Sequence, residues 1–436
     1  MHVLSHVIRT RNLIISNKLR LNALREKGEL SENEIELARD QGLARPKVLI
    51  LCPMRKNAFE IVELFRRLIF GDSPKPFVLN RQRFITEFKD NGYRISEKRI
   101  VSDEYRELMS GNNDDCFRLG IGIAKKSLKL FVPFEKSDII IASPLGLRMI
   151  VGDEAERVHE FDFLSSIEVL IIDMADVIIM QNWEHLLHII DSLHMQPENI
   201  DQIDISRVRM WSLNNYSKLY RQTILFASKI IAEFEALFAM KCYNFAGSVI
   251  LRPEMPSLLD RVVVPLCQEL HRLNISEPEN QSDERYAYFK DHLLPNCEAG
   301  CLIFIPSYYD FVRVRNHLKR SDESFVQLHE YAKEKKIARA RDLFFHGARR
   351  LLLMTERFYY FRRYRIKGIK SVVMYQPPVN QEFYYEIVNM SGAKDRVLSR
   401  MVYNKFDIHR MLNIFGNDAV RKVYSSTKDL HLLVSK

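Results

Sequence analysis

Asp173 and Asp176 close the run Val169-Leu-Ile-Ile-Asp-Met-Ala-Asp176, in which four apolar residues precede two carboxylates three positions apart. The apolar run reads as a buried parallel strand that delivers Asp173 to its C-terminal end, where open α/β sheets place their ligand sites. A carboxylate there can hold the water shell of a Mg²⁺ ion on nucleotide phosphates, and the next residue should be Glu, to take a proton from the attacking water. Met174 follows instead, and a thioether is no base. No Gly-x-x-x-x-Gly-Lys-Ser/Thr run is present to cradle phosphates. Two readings of the pair stay open: a remnant nucleotide site, or polar caps that fix the loop after the strand.

A second constellation lies between Arg357 and Lys370. Arg357, Arg362, Arg363, Arg365, Lys367 and Lys370 are interleaved with Phe358, Tyr359, Tyr360, Phe361 and Tyr364. Cations track phosphates and aromatic faces stack on unpaired bases, so this stretch is the leading RNA contact. The alternative is a solvated loop whose rings pack on the domain, or a protein-binding surface. Arg55 and Lys56, with Ser143 and Arg148, follow neighbouring expected strands and would form a rim for a nucleic-acid backbone, helped by helix N-termini. Salt bridges to nearby carboxylates are the alternative there. The run Lys333 to Arg341 reads as a solvated helix face. Trp183 and Trp211 are the only tryptophans and read as anchors in an interface or partner pocket; His185 beside Trp183 has no nucleophile or metal set at readable spacing.

The elements that must position these groups follow from the apolar pattern. Strands are expected at Lys47–Cys52, Leu128–Phe131, Asp138–Ser143, Val169–Asp173 and Thr223–Ser228, with helices over Ala58–Phe70, Trp183–Leu193 and Ile230–Phe238 and loops through most of 71–116. Pro253 and Pro256 mark a linker. Beyond it the expected strands are Val262–Val264, Cys301–Ile305, Phe325–Leu328, Leu351–Met354, Val372–Tyr375 and Met401–Tyr403, with helices between them. Such alternation implies two parallel-sheet α/β domains, 1–252 and 253–436.

Composition fits that reading. The chain has 436 residues, 47% of them apolar, and a formal charge of +9, which leans toward an acidic partner such as nucleic acid. Cysteines at 52, 116, 242, 267, 297 and 301 lack a disulfide-like density, and Cys297 and Cys301 form a single Cys-x3-Cys pair without a second one, so no metal site is expected. No apolar run reaches the length of a membrane span. The first residues alternate apolar and basic positions at helical spacing and read as a domain-packing helix rather than a signal peptide.

The series of strand ends resembles a superfamily-two RNA helicase with two tandem RecA-like domains. Pro53-Met-Arg-Lys-Asn-Ala58 resembles its Pro-Thr-Arg-Glu-Leu motif and Ser143-Pro-Leu-Gly-Leu-Arg148 its Thr-Pro-Gly-Arg motif, both of which touch the nucleic-acid backbone. Asp173-Met-Ala-Asp176 stands for Asp-Glu-Ala-Asp, Phe226-Ala-Ser228 for Ser-Ala-Thr, and Ile303-Phe-Ile-Pro-Ser307 for the first strand motif of the second domain. Around Arg362-Arg-Tyr-Arg365 the family has Arg-Gly-Xaa-Asp, so Arg365 puts a cation where an acid belongs. In Asn389 to Arg396 only Gly392 and Arg396 keep register with the last motif, and Ala393 falls where the arginine finger would be.

Longer strings, among them SDIIIASPLGLR, FDFLSSIEVLIIDMAD and TERFYYFRRYRIKGI, resemble the digestive-organ expansion factor family of DEAD-box-like proteins across nearly the whole chain. That resemblance implies a pseudo-helicase of the small-subunit processome, acting in the nucleolus without a cofactor or a membrane. It implies binding to pre-ribosomal RNA, small nucleolar ribonucleoprotein and assembly factors. RNA contacts are expected at Arg55, Lys56, Ser143, Arg148, Ser307, Arg357, Arg362, Arg363 and Arg365, and a degenerate nucleotide cleft at Asp173, Asp176, Gly392 and Arg396. The competing expectation is an ATP-dependent RNA helicase whose P-loop strand lies upstream of the first helix; a purely protein-binding adaptor is the third.

Overall fold

The computed structural model describes residues 1–71, 73, 76–92, 94–124, 127–152, 159–200, 203–252, 256–391 and 396–434. The chain forms two compact units, one of Met1–Ser228 with Glu235–Ile250, the other of Lys229–Phe234 with Leu251–Lys436. The short stretch Lys229–Phe234 thus belongs with the second unit, although it precedes the expected linker.

The first unit is built on seven strands: β1 Val48–Leu51, β2 Val78–Leu79, β3 Arg118–Ala124, β4 Ser127–Leu130, β5 Ile139–Ala142, β6 Val169–Ile172 and β7 Gln222–Leu225, in the order β2-β4-β3-β5-β1-β6-β7. The central strands β5, β1, β6 and β7 run parallel, with Val48 opposite Ile139 and Val169. Their short apolar runs are what a sheet covered on both faces requires, and each fully buried Ile or Leu contributes roughly 1.5–3 kcal/mol. The strand β3 falls between the elements expected from the sequence. Its sequence Arg-Leu-Gly-Ile-Gly-Ile-Ala carries two glycines, which weaken the strand signal. The fold needs Gly120, because a Cβ there would lie 2.0 Å from the Val132 carbonyl oxygen.

A helix over His2–Lys27 packs Val3, Leu4 and Val7 into this core. It is held to carboxylates at the N-terminal ends of the strands: His6 meets Glu168, Asn17 meets Asp40, and Arg11 lies 3.9 Å from Asp138. Glu168, just before β6, accepts from His6 at 2.8 Å and from Arg209 at 2.5 Å, with the Lys47 ammonium 3.5 Å away. Asp40 takes two bonds from Arg207 at 2.6 and 2.7 Å and one from Asn17 at 2.9 Å. Asp138, before β5, pairs with Arg45 at 2.9 Å and caps the Ile123 N–H at 2.8 Å. Burial of so many paired charges fixes the helix to one end of the sheet.

The second unit also has seven strands: β8 Leu266–Arg272, β9 Cys301–Ile305, β10 Phe325–Leu328, β11 Leu351–Thr355, β12 Ser371–Met374, β13 Val397–Tyr403 and β14 Leu430–Val434. Their order is β10-β11-β9-β12-β13-β8-β14, parallel except for β14, which closes the sheet antiparallel to β8. The expected strand at Val262–Val264 is replaced by β8. Its Leu-Cys-Gln-Glu-Leu-His-Arg sequence is polar because its outer neighbours are polar. Buried Gln268 accepts from Tyr384 Oη at 2.9 Å, and Glu269 pairs with Arg400 of β13 at 3.0 Å. The two sheets place this chain in the expected class, two tandem RecA-like α/β domains. Among the described residues, no helix is long and apolar enough to cross a membrane.

Candidate functional site

In the first unit the ends of β1, β5, β6 and β7 lie side by side, which brings Cys52, Ser143, Asp173 and Phe226 to one edge. The Asp173 N–H donates to the Leu51 carbonyl at 2.8 Å. Burial pushes the Asp173 carboxyl up, Asp176 pushes it the same way, and a backbone N–H from Met174 opposes both. Met174 sits in the left-handed region at φ 52° and ψ 50°, a costly conformation for a residue with a side chain. The buried Asn57 amide donates to its sulfur at 3.2 Å, and the next N–H, from Ala175, bonds the Phe226 carbonyl at 2.9 Å. The thioether is therefore held both by its backbone and by the Asn57 amide. Asp176 lies in the first turn of the helix Ala175–Gln181, where a carboxylate suits the helix dipole, and accepts from Ser228 at 2.6 Å. Beside them Cys52 is buried, its thiol pushed well up by burial and by Asp173, and is inert.

The rim residues do structural tasks in addition. The helix after β1 spans Arg55–Phe70, three residues earlier than expected, so Arg55 and Lys56 belong to its first turn. Arg55 pairs with Asp114 at 2.9 Å, donates to the Cys116 carbonyl at 3.0 Å, and lies 5.1 Å from the Phe88 ring centroid. The Lys56 ammonium, its pKa lowered by burial, donates to the carbonyls of Glu107 and Leu108, both at 2.6 Å. Both cations thereby clamp the connection that leads into β3. Ser143 is buried and caps the helix Pro144–Val151 by accepting from the Gly146 N–H at 3.0 Å; Arg148 is half-buried in that helix. Gly146 passes so close to Phe117 that a Cβ would lie 2.3 Å from its carbonyl oxygen. Gly146→Ala should therefore cost about 1–3 kcal/mol or more, read as a lower thermal midpoint of the first unit.

In the second unit Ser307 caps the helix Tyr308–Arg320 through the Asp310 N–H at 3.3 Å. The stretch Arg357–Lys370 departs from the expected stacking platform. It opens as a helix, Glu356–Arg362, and Phe358, Tyr359 and Tyr360 are buried to 5% exposure or less. These rings are core, because the helix is covered by the sheet and by Phe383, which meets Tyr359 edge-on at 4.9 Å. Arg363 also turns inward: it pairs with Glu386 and lies 4.3 Å from the Phe383 ring centroid. Arg362 pairs with Glu334 at 2.7 Å, and Arg357 is half-buried. Arg365, Lys367 and Lys370 remain exposed, as does Arg396. Gly392 and Ala393 lie outside the described residues.

One polar cluster was not legible in the sequence. Glu356, fully buried at the end of β11, accepts the Val379 and Asn380 N–H groups at 3.0 and 2.7 Å and the Asn380 side-chain amide at 3.0 Å. Burial pushes its carboxyl up against those bonds. Lys229 donates to the Asn380 side-chain oxygen, which ties the Lys229–Phe234 stretch to this unit. The sole signal was Thr355-Glu356, a capping residue and an acid at a strand end. Cys297 and Cys301 are buried; a thiol hydrogen bond between them holds Cys297 down and Cys301 well up. Among the described residues no group of three or more His, Cys, Asp or Glu is placed to hold a metal ion.

With this geometry in hand, comparison with known proteins is decisive. Residues 1–249 match the family described as UTP25, NTP hydrolase-like domain, and residues 258–433 match Utp25, C-terminal domain. The chain belongs to the UTP25 family. Over its full length it is 39% identical to the U3 small nucleolar RNA-associated protein 25 homolog of Mus musculus and 38% identical to that of Homo sapiens. It spans 57% and 58% of those two proteins. The U3 small nucleolar RNA-associated protein 25 of Schizosaccharomyces japonicus is 36% identical, with 67% of its length spanned. The strings that resembled the digestive-organ expansion factor family led to this same UTP25 family. Among solved structures, the yeast DEAD-box splicing factor Prp28 aligns with 90% of this chain and 73% of its own at 15% identity and a TM-score of 0.28. S. cerevisiae Dbp5 bound to RNA and ADP BeF3 aligns with 90% and 79% at 14% identity and the same TM-score. Values that low transfer no residue role to the UTP25 chain.

Proposed function

We propose that this UTP25 chain is a non-catalytic, helicase-like scaffold of the small-subunit processome, binding pre-ribosomal RNA or small nucleolar ribonucleoprotein and assembly factors in the nucleolus. The observation that carries the reading is Met174, a thioether locked by φ and by Asn57 at the position where hydrolysis needs a carboxylate base. The relatives' names, which associate them with U3 small nucleolar RNA, supply the ribonucleoprotein setting. A net charge of +9 supports an RNA partner.

The RNA-contacting groups are then those left at the surface. In the second unit these are Arg365, Lys367 and Lys370, which can pair with phosphates but lack a ring platform for bases. Arg363 is excluded by its buried pairing with Glu386. We expect the triple variant Arg365→Glu/Lys367→Glu/Lys370→Glu to weaken binding of a U3 small nucleolar RNA transcript and to lower the salt slope by about 0.7 for each lost phosphate contact. Titration by fluorescence anisotropy across salt concentrations measures both. Unchanged affinity and slope would favour the adaptor reading, in which the basic surface meets acidic protein tails.

A further inference from the structure

We infer that the β7 edge of the first unit is a strand-addition site for an extended segment of a protein partner. Among the described residues the strand is the terminal member of its sheet and pairs only with β6. The N–H groups of Gln222 and Phe226 donate to the Glu168 and Ile172 carbonyls at 2.8 and 2.9 Å. Backbone groups alternate sides along a strand, so those of Thr223 and Leu225 point away from the sheet. Among the described residues, neither the N–H nor the C=O of Thr223 or Leu225 has a partner. Donors and acceptors at this spacing are matched by an extended polypeptide.

The surroundings fit the same occupant. Natural edge strands are blunted by proline, by charge or by a bulge, and β7 reads Gln-Thr-Ile-Leu with none of these. Where β1 is wholly buried, Thr223, Ile224 and Leu225 are each partly exposed. Aromatic rings flank the strand: Phe226 is 54% exposed, Tyr220 44% and Phe245 73%. Trp211 stacks on Tyr220 at 4.6 Å, and Tyr220 meets Phe245 at 5.3 Å, which makes a continuous apolar ledge beside the open edge. Such a ledge would receive alternate apolar side chains of the added strand. RNA is the weaker match, because several cations around the rings are committed, although Lys218 lies exposed over the Tyr243 ring at 5.3 Å. Arg209 pairs with Glu168, Lys241 with Asp191, and Arg221 bonds the Lys241 carbonyl and the Thr223 hydroxyl. The inference goes beyond the scaffold reading and stands or falls apart from RNA binding elsewhere.

The probe is a phage-displayed library of short linear peptides, panned on the 436-residue chain. Enriched peptides should alternate apolar and polar residues and lack proline in the contact stretch. A synthetic enriched peptide should slow deuterium exchange at the Thr223 and Leu225 amides by at least about tenfold. Leu225→Pro removes only an outward N–H, and proline is tolerated at such edge positions, so the variant should keep its fold and bind roughly three- to tenfold more weakly. N-methylation of the peptide amides provides a test that leaves the protein untouched: methyl groups on one alternate set should abolish binding, and those on the other should spare it. No enrichment, binding insensitive to N-methylation, or protection elsewhere would overturn the inference. So would concentration-dependent protection of the same amides without peptide, which would make a second copy the occupant, or their protection by oligouridylate alone, which would make it RNA.

Discussion

Arg207→Ala should destabilise the first unit by about 3–5 kcal/mol, the usual cost of orphaning a buried charge. Arg207 and Asp40 are 4% and 3% exposed and joined by two hydrogen bonds, and Arg207 also donates to the Ala38 carbonyl at 2.8 Å. Removing the guanidinium leaves the Asp40 carboxylate, among the described residues, with the Asn17 amide as its one side-chain hydrogen-bond partner. Both tryptophans of the chain, Trp183 and Trp211, lie in the first unit, so their fluorescence during urea denaturation follows this unit by itself. The double variant Arg207→Met/Asp40→Leu should lose far less than either single change, because no charge is stranded. A shift below about 1 kcal/mol for Arg207→Ala would mean that the pair is not buried in solution.

Acid should weaken the same unit in two successive windows. The His194 imidazole, pushed down by burial from 6.5 to about 4, donates to the Ile167 carbonyl at 2.7 Å. Burial alone would raise the Glu168 carboxyl, but the His6 hydrogen bond and the charges of Lys47 and Arg209 outweigh it and hold the group near 2 rather than 4.5. Both folded values lie below the unfolded ones, so the unfolded chain binds more protons and stability rises with pH. The contribution of His194 is complete above 6.5 and lost toward 4; that of Glu168 is complete above 4.5 and lost toward 2. Each is worth on the order of 3 kcal/mol. In tryptophan-monitored urea titrations, His194→Gln should flatten the upper limb and Glu168→Gln the lower one. A stability that stays level from neutral pH down to 4 would contradict the assignment.

Legibility followed the kind of signal each element carries. The strands β1, β5 and β6 are apolar runs that only a doubly covered parallel sheet explains, and they were readable outright. The strand β3 was hidden by Gly120, whose need is a close approach of chain to chain that no local pattern records. The strand β8 was hidden by polarity, since Gln268 and Glu269 answer to Tyr384 and Arg400, more than a hundred residues away. The candidate sites divide the same way. Asp173, Met174 and Asp176 were placed at a strand end by pattern alone. The aromatic run was read as a surface because residue types do not tell which side of a short helix meets a sheet. Phe358, Tyr359 and Tyr360 turned out to be core, and Arg363 their buried ion pair. Arg55 and Lys56 were legible as the cations that follow β1, whereas their carbonyl acceptors were not, because only the fold brings those near.

The scaffold proposed for this chain requires that the carboxylates after β6 support no hydrolysis, with Met174 where a base would be needed. It is tested most directly by nucleotide binding and RNA-stimulated ATP hydrolysis on the full-length protein, beside its Asp173→Ala variant. No turnover above background is expected of either form. Turnover in the native protein that Asp173→Ala abolishes would contradict it, and would make the end of β6 part of a working active site.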